Sequence, residues 1–156
     1  MKQQKIKVYR TKEGTIFELA FALLTIVVWG IIIWLLHRAP EVVPTHFRLD
    51  GTPDSYGSPF GLVFPCLIVT VVGGCLMLGA YFPHTINMPF KMTTKRQYEL
   101  AIRMMRIMGM LMPVLTLAIA LTGLALSKPS AWPVLSVVGL IILITIVFTV
   151  LIYRAK

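Results

Sequence analysis

The chain has 156 residues, of which 57% are hydrophobic and only 13% are charged, and its mean hydropathy is +0.82. A water-soluble domain of this size cannot bury so much apolar surface, so the composition indicates a membrane protein. The formal net charge is +9, but no nucleic-acid-binding module or basic patch interleaved with aromatic residues accompanies it. We therefore attribute the excess of cations to membrane orientation and to anionic lipid head groups, and we expect no nucleic-acid partner.

Four long apolar runs follow one another along the chain. They cover residues 16–36, 60–82, 100–126 and 133–153, and a helix needs about 20 mostly apolar residues to cross a bilayer. Backbone polar groups cannot stay unpaired in hydrocarbon, and no run alternates as a barrel strand does, so all four are predicted to be helices. The predicted fold is an all-α integral membrane protein, with one four-helix domain over residues 16–156.

The distribution of Lys and Arg predicts the orientation of this bundle. Five of the fifteen basic residues lie in residues 1–15, five lie between residues 91 and 106, and two lie at the C-terminal end, which makes twelve. The other three are Arg38, Arg48 and Lys128. Since basic residues accumulate on the cytoplasmic side, both termini and the inner loop 83–99 are expected inside and the outer loop 37–59 outside. The expected location is the bacterial cytoplasmic (inner) membrane, as a multi-pass protein.

Glu18 is an acidic residue near the beginning of the first apolar run. An ionisable residue within a span is a functional candidate by default. Arg103 and Arg106 lie three residues apart on one face of the third helix, at a similar depth. We expect Glu18 to form a structural ion pair with one of these arginines. The alternative is the proton-coupled site of a small transporter, which would require a carboxylate nearer the membrane centre.

The outer loop 37–59 is the segment richest in turn-forming and polar residues. Its four prolines keep it extended or turned and exclude a long helix. Asp50-Gly51 is a strong turn signal. Valines before this turn and Tyr56 after it predict a short hairpin-like cap, on the extracytoplasmic side, folded over the bundle.

Three side chains of the outer loop are candidate metal ligands. They are His46, Asp50 and Asp54, with His37 as a fourth, because imidazole and carboxylate groups bind divalent ions such as zinc. The alternative, which we favour, is that His46 forms a hydrogen bond with the backbone inside the cap while Asp50 and Asp54 stabilise turns through their side chains. A metal-dependent enzyme would also need a nucleophile or general base, and the sequence contains no motif of that kind. We therefore expect neither enzymatic activity nor a cofactor.

Two segments resemble a bacterial membrane-protein family. The first comprises Pro44-Thr45-His46-Phe47, then Gly51, Pro53-Asp54 and Gly57-Ser58. The second comprises Pro83, then Asn87-Met88-Pro89-Phe90-Lys91 and Arg96-Gln97-Tyr98. They are similar to the outer and inner loops of a domain-of-unknown-function family that includes the SdpI-type immunity and signalling proteins. Arg48 stands where many of those relatives have Asn, and SdpI-type proteins are usually longer, with further spans.

Both loops are candidate partner-binding segments, the outer loop because its polar residues stand on a bundle without catalytic groups and the inner loop because its basic residues could supply charge. The candidate binding residues of the outer loop are His46, Phe47, Gly51, Asp54, Tyr56 and Gly57. The candidates for docking a cytoplasmic partner are Asn87, Pro89, Lys91 and Arg96. The inner loop could equally be a lipid-facing, amphipathic lead-in to the third helix.

The expected function is that of a non-enzymatic inner-membrane binding, immunity or accessory protein. It would recognise a peptide, or another membrane or envelope protein, through its outer loop. Two alternatives stay open: a small proton-coupled transporter that uses Glu18, and a metal-dependent membrane enzyme centred on His46.

Overall fold

The computed structural model describes residues 8–48, 50–124 and 130–155. Four α-helices cover Lys12–Arg38 (α1), Val63–Gly79 (α2), Lys95–Leu124 (α3) and Trp132–Arg154 (α4). Two β-strands, Val43–Phe47 (β1) and Pro53–Gly57 (β2), lie between α1 and α2, and short 3-10 helices lie at Pro59–Leu62 and Pro83–Thr85. Residues 1–7, Lys128, Lys156 and the predicted end of the third run at 125–126 lie outside the described residues.

The helices confirm the prediction of a mostly helical chain with four segments of membrane-spanning length. Each is long and apolar enough to cross a membrane. For the second span this length includes the 3-10 helix before α2, so that it covers Pro59–Gly79. Both α1 and α3 begin several residues before their apolar runs. The physical reason is capping: a threonine before each helix accepts a hydrogen bond from a backbone N–H of the first turn. In α1, Gly14 N donates to Thr11 Oγ1 (3.0 Å), and in α3, Gln97 N donates to Thr94 Oγ1 (3.3 Å).

The central helix of the bundle is α3, which packs against each of the other three helices. Half of its most apolar segment is buried inside the protein, whereas only 6% of the corresponding segment of α4 is buried. Most aliphatic side chains of α4 therefore point outward, as they do in a helix that faces lipid or another apolar partner.

Small residues allow α2 to approach α3 closely. A Cβ at Gly73 would lie 2.8 Å from the Cβ of Met112, and a Cβ at Gly109 would lie 3.0 Å from the Cε of Met77. Gly74 faces away from this contact, because no atom lies within 4 Å of the position its Cβ would take. Backbone approach at small residues is a common way for apolar helices to associate.

Each end of the bundle has its own apolar core. At the end near the hairpin, which we call the hairpin end, α1, α2 and α3 bury the cluster Val28, Ile32, Leu35, Val43, Leu62, Cys66, Ala120 and Leu124. At the opposite end, which we call the basic end, the loop after α2 joins α3 and α4 around Met92, Tyr98, Ala101, Met104 and Ile152. Between the two cores Trp29 Nε1 donates to Thr70 Oγ1 (3.1 Å), which links α1 to α2.

Candidate functional site

The outer loop folds into an antiparallel hairpin, as predicted from its turn signal. Val43 pairs with Gly57 at the open end and Phe47 with Pro53 at the closed end. Gly51 has φ 83°, a conformation that glycine adopts without a steric penalty. The chain can therefore reverse between the two strands where the Asp50-Gly51 pair predicted it.

The Asp50 carboxylate stabilises this turn rather than facing a ligand. Its Oδ1 accepts hydrogen bonds from Thr52 N (2.9 Å) and Thr52 Oγ1 (2.6 Å). Because these bonds favour the ionised form, they hold the pKa of Asp50 below its usual range. These bonds therefore stabilise the folded turn fully above the ordinary pKa of an aspartate, and that stabilisation is lost as the pH falls through the lowered pKa of Asp50.

Both ends of the hairpin are anchored to the bundle. At its base Val43 is 2% exposed and belongs to the core of the hairpin end. At its tip Gly51 is buried, and a Cβ there would lie 3.6 Å from Trp132 Nε1 and 3.7 Å from Ala131 N, at the start of α4. Gly123 of α3 allows the first strand of the hairpin to approach closely, since a Cβ at this position would lie only 2.9 Å from the carbonyl oxygen of Pro44. The hairpin is thus a fixed cap over the bundle.

The middle of the hairpin is exposed and polar. His46 Nδ1 lies 2.6 Å from Asp54 Oδ1 across the two strands, and Arg48 Nε lies 3.7 Å from Asp54 Oδ2. The side chains of His46 and Arg48 are about two-thirds exposed, at 70% and 68%, whereas Asp54 between them is 26% exposed. Tyr56 is 58% exposed on β2. A carboxylate held between two donors, beside an open aromatic ring, offers hydrogen-bonding and apolar contacts to a partner.

The predicted outer-loop residues differ in what they offer. Phe47 and Gly57 are half-buried, and Gly51 is buried at the tip, so these three shape the hairpin. His46 and Tyr56 are exposed and could contact a partner directly, whereas the Asp54 side chain is only 26% exposed and lies between His46 and Arg48.

The predicted metal ligands do not converge. His46 and Asp54 form a pair, but the Asp50 carboxylate is turned toward Thr52. Among the residues that the structure describes, no group of three or more His, Cys, Asp or Glu side chains could hold a metal ion. The physical reason is that the turn residues need the Asp50 carboxylate for their own hydrogen bonds. His46 forms its hydrogen bond with the Asp54 side chain on the opposite strand, so the backbone partner that we expected for it is wrong.

The inner-loop candidates lie on an exposed face at the basic end. Asn87, Pro89, Lys91 and Arg96 are all exposed. Asn87, Pro89 and Lys91 alternate with apolar residues that face the bundle. Ile86, Met88 and Phe90 pack against the core of the basic end, and Met92 belongs to it. The loop from residue 83 to residue 92 is therefore an ordered cover over this end, with a surface cavity of about 340 Å³ along residues 84–91.

The sequence reasoning missed a capping box that ties this loop to α4. Gln97 Oε1 accepts from Thr93 N (2.7 Å) and Thr94 N (3.1 Å), and Gln97 N donates to Thr94 Oγ1. The same two side chains also bind the C-terminal end of α4. Gln97 Nε2 donates to Ile152 O (3.0 Å), and Thr94 Oγ1 donates to Ala155 O (2.8 Å). The pattern Thr-x-x-Gln before an amphipathic helix was the available signal.

The predicted pairing of Glu18 with Arg103 or Arg106 is wrong. Glu18 Oε2 pairs with Arg10 Nη2 at 2.8 Å, and Glu18 Oε1 accepts a hydrogen bond from the Tyr81 hydroxyl. Arg103 instead pairs with Glu13, through contacts of 2.9 and 3.3 Å. The physical reason is that α1 starts at Lys12 rather than residue 16, so a second carboxylate one turn earlier faces α3.

Comparison with known proteins gives one family match. A family model described as a domain of unknown function, DUF1648, matches residues 23–70. No curated protein and no solved structure matches the chain. The matched segment runs from within α1 through the whole hairpin and into α2. Over this hairpin-bearing segment, the chain is similar to a domain whose function is unknown.

Proposed function

We propose that this chain is a non-enzymatic, multi-pass protein of the bacterial cytoplasmic membrane that recognises a peptide or protein partner through its hairpin. The observation that carries the proposal is a hairpin fixed at both ends whose middle exposes the His46–Asp54–Arg48 group and Tyr56. An immunity or accessory role, as the resemblance to SdpI-type proteins implies, is part of the proposal.

Pre-organisation supports a role in recognition. A loop that is already ordered loses little conformational entropy when a partner binds, so more of the contact energy appears as affinity. Tyr and Arg are enriched among the residues that dominate protein interfaces. Asp54 orients His46 through a hydrogen bond and lies within ion-pair distance of Arg48, which gives the surface a pattern of donors around one carboxylate.

The charges of the described residues support an outward-facing hairpin. The cations at the basic end are Arg10, Lys12, Lys91, Lys95, Arg96, Arg103, Arg106 and Arg154, whereas those at the hairpin end are Arg38 and Arg48. Since cations accumulate on the cytoplasmic side, the basic end would lie in the cytoplasm. The hairpin would then meet partners outside the cytoplasmic membrane.

The geometry gives less support to a transporter. Glu18 lies at the basic end, two turns into α1, where Arg10 and Tyr81 already engage its carboxylate. A coupling carboxylate is more useful near the middle of the membrane, where its protonation can follow substrate binding.

The proposal is tested by replacing the paired residues of the hairpin. We expect the double variant His46→Ala/Asp54→Ala to lose capture of proteins or peptides that co-purify with the tagged wild-type chain from native membranes in mild detergent. The physical reason is that both the imidazole and the group that orients it are removed. Co-purifying species are identified by mass spectrometry, and thermal unfolding confirms that the variant is folded.

Glu41→Gln is the matched control, because Glu41 is exposed just before the hairpin and belongs to neither the pair nor the turn. It should capture the same species as wild type. Undiminished capture by the folded double variant would show that the hairpin is not the recognition surface.

A further inference from the structure

A second site lies at the basic end, away from the hairpin. A cavity of about 580 Å³ opens between the first turn of α1 and the first three turns of α3. Its polar lining consists of Thr11, Glu13, Arg96, Glu99, Arg103 and Arg106. This volume lies within the usual range of small-ligand sites, about 300–1,000 Å³.

Arg106 is the unusual member of this lining. It is only 4% exposed, yet within the described part of the chain its guanidinium makes no hydrogen bond or ion pair. Its nearest aromatic neighbour is Tyr81, with the guanidinium carbon 6.0 Å from the ring centroid. A buried cation without a partner is costly, so a group that neutralises Arg106 would bind favourably.

The nearby carboxylates are already engaged. Glu13 and Glu18 both lie within electrostatic range of Arg106. However, the carboxylate of Glu13 binds Arg103, and that of Glu18 binds Arg10 and Tyr81. Glu99 Oε1 lies 3.6 Å from Lys95 Nζ, with which it forms an ion pair. Among the described residues the carboxylates of Glu13 and Glu18 act on Arg106 only at a distance, so the hydrogen-bond donors of its guanidinium are left to bind a ligand.

The start of α1 adds to the positive potential of the cavity. Helix N-termini carry a partial positive charge and favour anions. The guanidinium of Arg106 lies directly against Gly14 in the first turn of α1, so closely that a Cβ at Gly14 would overlap it. Two sources of positive charge therefore meet at a point where the neighbouring carboxylates of Glu13 and Glu18 bind other partners.

We propose that this cavity binds a phosphate-bearing anion through Arg106, with Arg96 as a second contact. Guanidinium groups bind phosphate oxygens in a bidentate manner, which suits a buried site. Arg96 and Leu100 also line a neighbouring cavity of about 520 Å³ that includes Leu151 and Arg154. This mixed polar and apolar opening, at the end of the bundle, favours the head group of an anionic phospholipid as the source of the phosphate.

The test measures binding to the full chain in neutral detergent micelles. The probes are phosphatidylglycerol, phosphatidylcholine and inorganic phosphate, and the readout is the rise in Tm with probe concentration. Phosphatidylglycerol should raise the Tm and phosphatidylcholine should not. If inorganic phosphate acts in the same way, the site recognises phosphate itself; if only the lipid acts, the acyl chains contribute as well.

Arg106→Gln should weaken the apparent affinity for the active probe at least tenfold. The matched control is Lys12→Gln, which removes the same charge from an exposed residue outside the cavity lining and should change the affinity less than twofold. If Arg106→Gln does not fold, Arg96→Gln at an exposed position should still weaken binding at least threefold. Equal affinities of the cavity and control variants, or no Tm rise with either anionic probe, would overturn the proposal.

Discussion

Gln97 is completely buried at the start of α3 and binds two separate segments of the chain. Its side-chain oxygen accepts from Thr93 N and Thr94 N, and its side-chain nitrogen donates to Ile152 O at the end of α4. A single side chain therefore satisfies backbone groups of the inner loop and of the last turn of α4. The first N–H groups and the last carbonyl groups of a helix have no hydrogen-bond partner within that helix, so they need other partners wherever water is excluded.

We expect Gln97→Ala to lower the free energy of unfolding by about 2–4 kcal/mol. Loss of a helix cap costs about 1 kcal/mol, and each buried polar group left without a partner costs about 1–3 kcal/mol. The measurement is unfolding of the purified chain in a denaturing detergent, followed by circular dichroism.

Glu99→Gln is the control for this variant, because Glu99 is exposed two residues further along the same helix and forms a surface ion pair with Lys95. Its effect should stay within about 0.5 kcal/mol. Equal stability of the Gln97→Ala chain and the wild type would mean that the capping box does not hold α4 to α3.

At the residue scale, sequence patterns predicted local structure better than they predicted partners. Asp50-Gly51 predicted a turn because glycine is suited to the positive φ that this turn requires. The ion pairs of Glu18 could not be predicted in the same way, because they depend on where α1 begins. The Thr94 cap and its partner Gln97 were readable as a local pattern, but their bonds to α4 depend on tertiary packing.

At the scale of elements, α2 presents two adjacent glycines with opposite surroundings. Gly73 packs against Met112 and against Phe21 of α1, whereas Gly74 has open space beside it. The two glycines are adjacent in the sequence, so the sequence alone does not indicate which of them meets α3. Nearly the whole of α2 is apolar, so no polar face distinguishes its two sides.

This pair gives a matched test of the packing. Gly73→Ala should destabilise the bundle by about 1–3 kcal/mol, because the added methyl group would overlap Met112. Gly74→Ala should leave stability unchanged or raise it by up to about 1 kcal/mol, since alanine favours the helix. Unfolding in denaturing detergent measures both variants, and a larger loss of stability for Gly74→Ala would contradict the observed helix packing.

The inner loop illustrates what the alternation of residues can reveal. Ile86, Met88, Phe90 and Met92 face the bundle, and the residues between them face outward. This two-residue period is present in the sequence, but it covers only seven residues and includes Pro89, so it did not by itself predict which side faces the bundle. The exposed side chains Asn87 and Lys91 remain candidates for docking a cytoplasmic partner.

At the scale of the whole molecule, the two ends of the bundle differ in charge and in form. The hairpin end carries a fixed cap with a His46–Asp54 pair, and the basic end carries an arginine-lined cavity and an ordered loop. The four apolar helices were predictable from composition and length alone, because a long apolar run has few alternatives to a helix. The sites at the ends were not, since they arise from contacts between distant segments.

The central claim, recognition through the hairpin, is tested most directly by site-specific photo-crosslinking in native membranes. A photoreactive amino acid replaces Tyr56, which is exposed in the middle of the hairpin, and in a parallel chain it replaces Thr85, which is exposed at the basic end. We predict that the chain with the probe at position 56 forms a discrete crosslinked product with a protein or peptide partner, and that the chain with the probe at position 85 does not form that product. No product from position 56, or the same product from both positions, would contradict the account.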